Sequence, residues 1–344
     1  MEKMNGMQKF LCFYEIIKKF SSEEHPLSFN EINKHMEKVC GERTNRQAVR
    51  KYIKSLRGLD VDISDYEENG EGCYLRDRHF EPWEQKLLID LVCRSYSIPR
   101  KVTQRLIDKI AGLHNEYTGY ALKKGFDISC TPKTVNEEVP YTMDKIRRAY
   151  LENKKVRFTC YDYDITGSLV PRKKEGVIRE YKGSPYALVN KKNCSYAVIN
   201  IDLFEDLSNY RVDRMKQVEV LEEDAKPVTE CMGYSKGLKI EEYAGKCFKM
   251  FVGEEVKVTL EIDKSQVNFI HEELVEWESS VEKNQEKGQE KDVYIVTFKA
   301  HEGEGLVKWI LQMGEHARVM GPEVLVDRVR EKITAMNKRY QPED

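Results

Sequence analysis

The chain has 344 residues, 34% of them charged and 40% hydrophobic, with a formal net charge of -2. That length predicts two or three domains, and the apolar fraction suffices for ordinary small cores rather than wholesale disorder. No apolar run approaches the ~20 residues that span a membrane, and Glu2, Glu15 and lysines among the first apolar positions argue against a signal peptide.

Residues 4–20 are predicted as an amphipathic helix through Phe10, Leu11, Tyr14 and Ile17. Ser28-x-x-Glu31 is a capping box, opening a second helix with Phe29, Ile32 and Met36 on one side and an end near Cys40-Gly41. A third helix starts at Thr44 or Asn45 and runs to Leu56, burying Ala48, Val49, Tyr52, Ile53 and Leu56 before Gly58. Two strands, 60–66 and 72–76, flank the turn signal Asn69-Gly70. Three short helices and a hairpin make a winged helix-turn-helix.

Two helices are predicted within 81–118, broken by Pro99, followed by a loop-rich linker at 119–140 and a helix at 142–153. From Val156 to Glu222 short β-rich segments suggest a small barrel. Beyond Pro227, strands at 256–263, 293–300 and 317–320 alternate with helices at 264–274, 306–313 and 322–340. A polar loop occupies 279–291. This is an α+β arrangement.

The nine cysteines form no Cys-x-x-Cys pair, are odd in number and widely spaced. Neither a disulfide scaffold nor a zinc ribbon is expected, and a reducing cytoplasm is the default. There is no His-Glu-x-x-His, and His271-Glu272-Glu273 fits a solvated helix face. Gly303-Glu304-Gly305 lacks the Lys-Ser/Thr of a phosphate loop, and no Gly-x-Ser-x-Gly is present. No enzyme, metal site or cofactor is expected.

A net charge near zero counts against nucleic acid only if the charges are evenly spread, and here they are not. Arg43, Arg46, Arg50, Lys51, Lys54 and Arg57 occupy 43–57 without an acid. Asp60, Asp62, Asp65, Glu67, Glu68 and Glu71 follow in 58–71 without a base. On a helix in the major groove, Asn45, Arg46, Gln47 and Arg50 would face bases, with Lys51, Lys54 and Arg57 on phosphates and Arg43 and Thr44 at the helix start. The bland alternative is a solvated helix face. The acidic wing is not expected to touch phosphate.

Residues 45–56, NRQAVRKYIKSL, resemble the recognition helix of bacterial transcription regulators of the WYL-domain type, close to D-R-K-T-V-Y-R-D-I-x-x-L. Ala48 stands for the Thr, Lys51 for the second Arg and Tyr52 for the Asp. Ser184–Val189 is similar to the family's S-P-Y-A-L-V stretch and Tyr210–Met215 to its F-R-V-D-R-M/I strand. Ser195-Tyr196-Ala197 stands where the family has Trp-Tyr-Leu. The resemblance implies a multidomain α+β chain. A winged helix-turn-helix (1–78) and a helical linker and dimerisation region (79–140) precede a WYL domain (141–226) built as an Sm-like (SH3-type) β-barrel. A ferredoxin-like α+β C-terminal extension (227–344), itself a dimer contact, completes it.

It further implies a ligand-responsive homodimer in the cytoplasm. The N-terminal domain would read an operator in double-stranded DNA, and the WYL domain would sense a nucleic-acid-derived or other anionic ligand. Candidate ligand contacts are Tyr186, Tyr196, Arg172, Arg211 and Arg214. Residues i and i+3 of a strand face opposite ways, so one of Arg211 and Arg214 would bind ligand and the other be structural unless a strand end intervenes. The tyrosines could stack on bases or pack in the core with a satisfied hydroxyl. Lys173-Lys174 could meet phosphates or be a solvated turn. The alternative function is an RNA- or effector-binding accessory protein of a defence system.

Overall fold

The computed structural model describes residues 4–76, 80–124, 128–274, 276–286 and 289–341. The predicted 78/79 boundary, Gly125 of the linker and residues 287–288 of the polar loop lie outside them. The chain forms two compact units, Met1–Thr134 and Val135–Asp344.

The first unit begins with helices α1 (Gly6–Phe20), α2 (Phe29–Cys40) and α3 (Arg46–Arg57). The Ser28 box forms: its hydroxyl accepts from the Glu31 amide, and Glu31 accepts from the Ser28 amide at 2.9 Å. Gly41 ends α2 at φ 71°, the left-handed conformation that a side chain would strain. Phe13, Ile16, Ile17, Ile32, Met36, Val49, Ile53 and Leu56 form one core. Of the predicted α3 face, Ala48 and Tyr52 are only half-buried.

The 60–76 segment differs from the predicted hairpin. Strands β1 (Ile63–Ser64) and β2 (Tyr74–Leu75) pair antiparallel, but a one-turn helix, α4 (Tyr66–Asn69), lies between them. Asp65 accepts from the Glu67 and Glu68 amides, and Asn69 accepts from those of Glu71 and Gly72. These side chains take amides that a longer ladder would have used. Leu27 and Cys73 exchange both backbone hydrogen bonds at 2.9 Å. A Cβ on Gly72 would lie 2.4 Å from the Leu27 carbonyl oxygen, so the approach requires glycine. Cys12 and Cys40 are disulfide-bonded across α1 and α2, a single bridge that the cysteine spacing did not point to. Sequence spacing alone does not show which helix faces meet.

Helices α5 (Pro82–Arg94), α6 (Arg100–Ala111) and α7 (Glu116–Lys123) complete the unit. The last reaches into the predicted loop-rich segment because Asn115 caps it, accepting from the Thr118 amide at 2.9 Å. Lys133 donates to the Val92 and Ser95 carbonyls at the C-terminal end of α5.

The second unit opens with α8 (Val139–Leu151) and strands β3 (Lys154–Tyr163), β4 (Leu169–Pro171), β5 (Lys173–Lys174) and β6 (Val177–Ile178). Strands β7 (Glu180–Lys191), β8 (Cys194–Ile201), β9 (Leu207–Arg211) and β10 (Met215–Asp224) follow. The antiparallel order is β10-β3-β7-β8-β9, with β4 on β3 and β5 on β6. Among the described residues no ladder joins β9 to β10. They are linked by a 3-10 turn, Val212–Arg214, so the expected closed barrel is corrected to an open sheet.

Both faces of the sheet are covered. Ala197 and Ile199 pack with Ile146 and Ala149 of α8. Val198, one residue out of phase, packs with Val189, Tyr243 and Cys247, bringing in the segment around α9 (Ile240–Lys246).

The remainder runs β11 (Glu255–Ile262), α10 (Val267–Glu273), β12 (Glu278–Glu286), β13 (Gln289–His301), α11 (Glu304–Ile310), β14 (Ala317–Gly321) and α12 (Glu323–Tyr340). Its antiparallel sheet has the order β12-β13-β11-β14 over a core centred on Trp309. The predicted polar loop is instead β12 and the start of β13, in register from Glu278↔Thr297 to Glu286↔Gln289. Lysine- and glutamate-rich composition disfavours burial, but it does not prevent backbone pairing.

Candidate functional sites

Helix α3 buries Val49, Ile53 and Leu56 and exposes Arg46, Gln47, Arg50, Lys51 and Lys54. Asn45 is the N-cap, its side-chain oxygen accepting from the Ala48 amide at 2.8 Å, so that oxygen serves the helix rather than a base. The Thr44 amide donates to Asn33, and Arg43 pairs with Glu37 at 2.8 Å. The Arg46 guanidinium lies 5.2 Å from the Phe29 ring centroid.

The acidic segment folds back on this helix. Arg50 pairs with Glu67 at 3.1 Å, both side chains largely exposed. Arg57 donates to the Ile63 carbonyl through Nε and Nη2 and pairs with Asp65 and Glu68. Arg76 pairs with Asp62 and Glu68. The predicted phosphate contact of Arg57 is therefore corrected: its guanidinium ties α3 to the wing. No ion pair of Lys51 or Lys54 is seen among the described residues.

In the second unit the structure gathers two of the predicted ligand arginines on a residue that no motif marks. Asp162, on β3, takes Arg172 through two hydrogen bonds of 2.8 and 3.0 Å and Arg214 at 3.3 Å. The Arg172 guanidinium, with Arg214 beside it, holds the Asp162 carboxyl below the usual aspartate value. Arg214 also lies 5.9 Å from the Tyr163 ring centroid, and its buried Nε has no hydrogen-bond partner among the described residues. Nearby, Arg179 covers Tyr181 at 4.7 Å.

Arg211 clasps Asp213 through two 3.0 Å bonds; Asp213 is fully buried. This is the structural pairing, with an acid of the same chain. The 3-10 turn ends the strand after Arg211, so strict alternation does not separate Arg211 from Arg214. Cys194 and Tyr196 on β8 lie within electrostatic range of both arginines, and Tyr196 stands opposite Arg211 in register.

Tyr186 and Tyr196 are half-buried and pack against the cluster that includes Val189, Val198 and Tyr243. The Tyr186 hydroxyl donates to the Lys226 carbonyl at 2.7 Å and lies 3.3 Å from Cys231 Sγ. Burial, then Cys231, raises its pKa. Both rings pack against the α9 segment. Of the two expectations for Tyr186, its hydroxyl contacts accord with packing and a satisfied hydroxyl. Lys173 and Lys174 form an exposed two-residue strand, β5. Cys160 is buried, and burial pushes its thiol up to about 12, which suits packing rather than nucleophilic chemistry.

Among the described residues no cluster of His, Cys, Asp or Glu could hold a metal ion, and no helix is long and apolar enough to cross a membrane.

Residues 141–220 match the WYL domain model and residues 254–336 the WCX domain model. A search of curated proteins found no match. Among solved structures, the proteasome accessory factor B/C of Arthrobacter aurescens is 14% identical over 99% of this chain, with a TM-score of 0.28. This chain spans 50% of that protein's length. A CRISPR Cas-related protein is also 14% identical, over 78% of this chain and 76% of its own, with a TM-score of 0.26.

Proposed function

The chain is a WYL-domain protein, with a WYL domain at 141–220 followed by a WCX domain at 254–336, and from that premise we propose that it is a ligand-responsive, DNA-binding transcription regulator. It acts as a homodimer in the cytoplasm. The first three helices and the short wing serve as a winged helix-turn-helix. The open WYL sheet is an Sm-like half-barrel, and β11 to β14 with their helices are a ferredoxin-like extension. The observation that carries the reading is the outer face of α3, where Arg46, Gln47, Arg50, Lys51 and Lys54 are all exposed. Such a face can enter a major groove, with its first turn at base edges and its later lysines at phosphates. The WYL domain senses an anionic, nucleic-acid-derived ligand through Arg214 and Arg172, which share one carboxylate, and binding shifts the dimer between DNA-competent and incompetent arrangements.

Selection from a random duplex pool would yield an operator. Arg46→Ala with Arg50→Ala should abolish its binding at low salt while circular dichroism stays unchanged; unaltered binding refutes the reading. Arg214→Ala should remove the ligand response and leave DNA binding intact.

A second reading, an RNA- or effector-binding accessory protein of a defence system, draws support from the internal engagement of Asn45, Arg50 and Arg57. Competition between duplex and single strands separates the two, since both would be salt-dependent.

A further inference from the structure

Glu67 occupies a defined place opposite the exposed side of α3. It is the second residue of α4, whose cap Asp65 accepts the Glu67 amide at 3.0 Å, so its backbone is fixed. Its carboxylate meets Arg50 at 3.1 Å, and the two side chains are 71% and 74% exposed. Arg57, on the same helix, is held by a backbone carbonyl and two carboxylates and is the anchored member of the set. Among the described residues the Arg50–Glu67 pair has no such second tie, and an exposed single ion pair of this kind opens at little cost.

Resting on the DNA reading above, we propose that Glu67 is a specificity-determining residue that competes with phosphate for Arg50. Without nucleic acid, Glu67 holds the guanidinium. A lone phosphate must displace a carboxylate of similar geometry and gains little. A guanine edge offering two acceptors, O6 and N7, within a fully seated helix gains more. The acidic segment thus lowers affinity for arbitrary duplex more than for the operator. This gives the opposed charge blocks of 43–57 and 58–71 a role: the second is a built-in competitor of the first.

The test is a double-mutant cycle with random-sequence duplex as the probe, titrated over a range of salt, and repeated on the selected operator, where Glu67→Gln should tighten binding less; equal tightening on both duplexes would overturn the specificity role. Glu67→Gln should tighten binding by about 1.5- to 5-fold, the range expected for release of an exposed pair. Arg50→Ala alone should change random-duplex binding and its salt slope little, whereas in the Glu67→Gln background it should weaken binding and flatten the slope of log K against log salt by about 0.9. In the Arg50→Ala background, Glu67→Gln should then have no further effect. Equal tightening in that background would show that Glu67 acts only as a general negative charge and would overturn the proposal, as would no effect of Glu67→Gln on a wild type that binds duplex. Absence of duplex binding by wild type and Glu67→Gln alike at low salt refutes the DNA reading itself. Glu67 is exposed, so an unchanged melting midpoint verifies that the fold persists.

Discussion

Asn136 is a single buried side chain on which the arginine-bearing turn depends, and its replacement gives a sharp test. Its Nδ2 donates to the Asp213 carbonyl at 3.1 Å and the Met215 carbonyl at 2.8 Å, while its Oδ1 accepts from the Glu138 amide at 3.1 Å. Asn136, Asp213 and Met215 are all at most 1% exposed. Asn136→Ala removes both donors from carbonyls that water does not reach and frees the amide just ahead of α8. Each buried group left unsatisfied costs about 1–3 kcal/mol, and the Glu138 amide, being partly buried, recovers part of its share from water. The two carbonyls together make the loss of local stability about 2–6 kcal/mol. Hydrogen exchange read by mass spectrometry on peptides covering 194–220 should then speed up by about 30- to 20,000-fold. Peptides covering α1 to α3, in the other unit, should be unchanged. Asn136→Asp keeps the acceptor for Glu138 but sets a carboxylate against two carbonyls, so it should be no milder. Exchange in 194–220 within about threefold of wild type for Asn136→Ala would refute the argument that this side chain fixes the 212–214 turn.

Three further outcomes follow from named contacts. Arg57→Ala should lower the stability of the first unit by about 1–2 kcal/mol in a denaturant melt, since it uncouples α3 from the Ile63 carbonyl and two carboxylates, whereas Lys54→Ala should leave stability unchanged and weaken duplex binding. Asp162 has a pKa lowered from 3.8 by Arg172, so it stabilises the fold above that value and loses the contribution as pH falls through its lower folded pKa; Asp162→Asn should flatten the acid limb of the melting curve from 3.8 down to that folded pKa, and an unaltered limb would reject the assignment. Because 28 residues separate Cys12 from Cys40, Cys12→Ser or reduction by dithiothreitol should cost roughly 3–4 kcal/mol and lower the first unit's melting midpoint by roughly 10 °C, with thiol titration reporting two more free cysteines after reduction.

The sequence by itself determined α2 and α3 and the signals that end them. The Ser28-Glu31 box and the Gly41 stop are local exchanges of hydrogen bonds, and they form as predicted because no distant residue is needed to complete them. The 3.6-residue recurrence of Val49, Ile53 and Leu56 likewise placed one side of α3 inward and its cations outward. The segregation of charge along 43–71 was equally legible, though not its consequence.

Tertiary structure decided which charged groups meet. Arg50 and Arg57 look alike in the sequence, yet one faces a single exposed carboxylate and the other is anchored in the wing. Asp162 carries no signal in an alternating strand, because its importance comes from Arg172 and Arg214, 10 and 52 residues away. Tyr186 read as a stacking candidate from its motif; the segment that packs over it lies around 226–247, and only folding brings the Lys226 carbonyl to its hydroxyl. Local hydrogen bonding and side-chain periodicity can be read from neighbouring residues. Ion pairing and burial depend on residues far apart in the chain, and only the folded backbone fixes those partners.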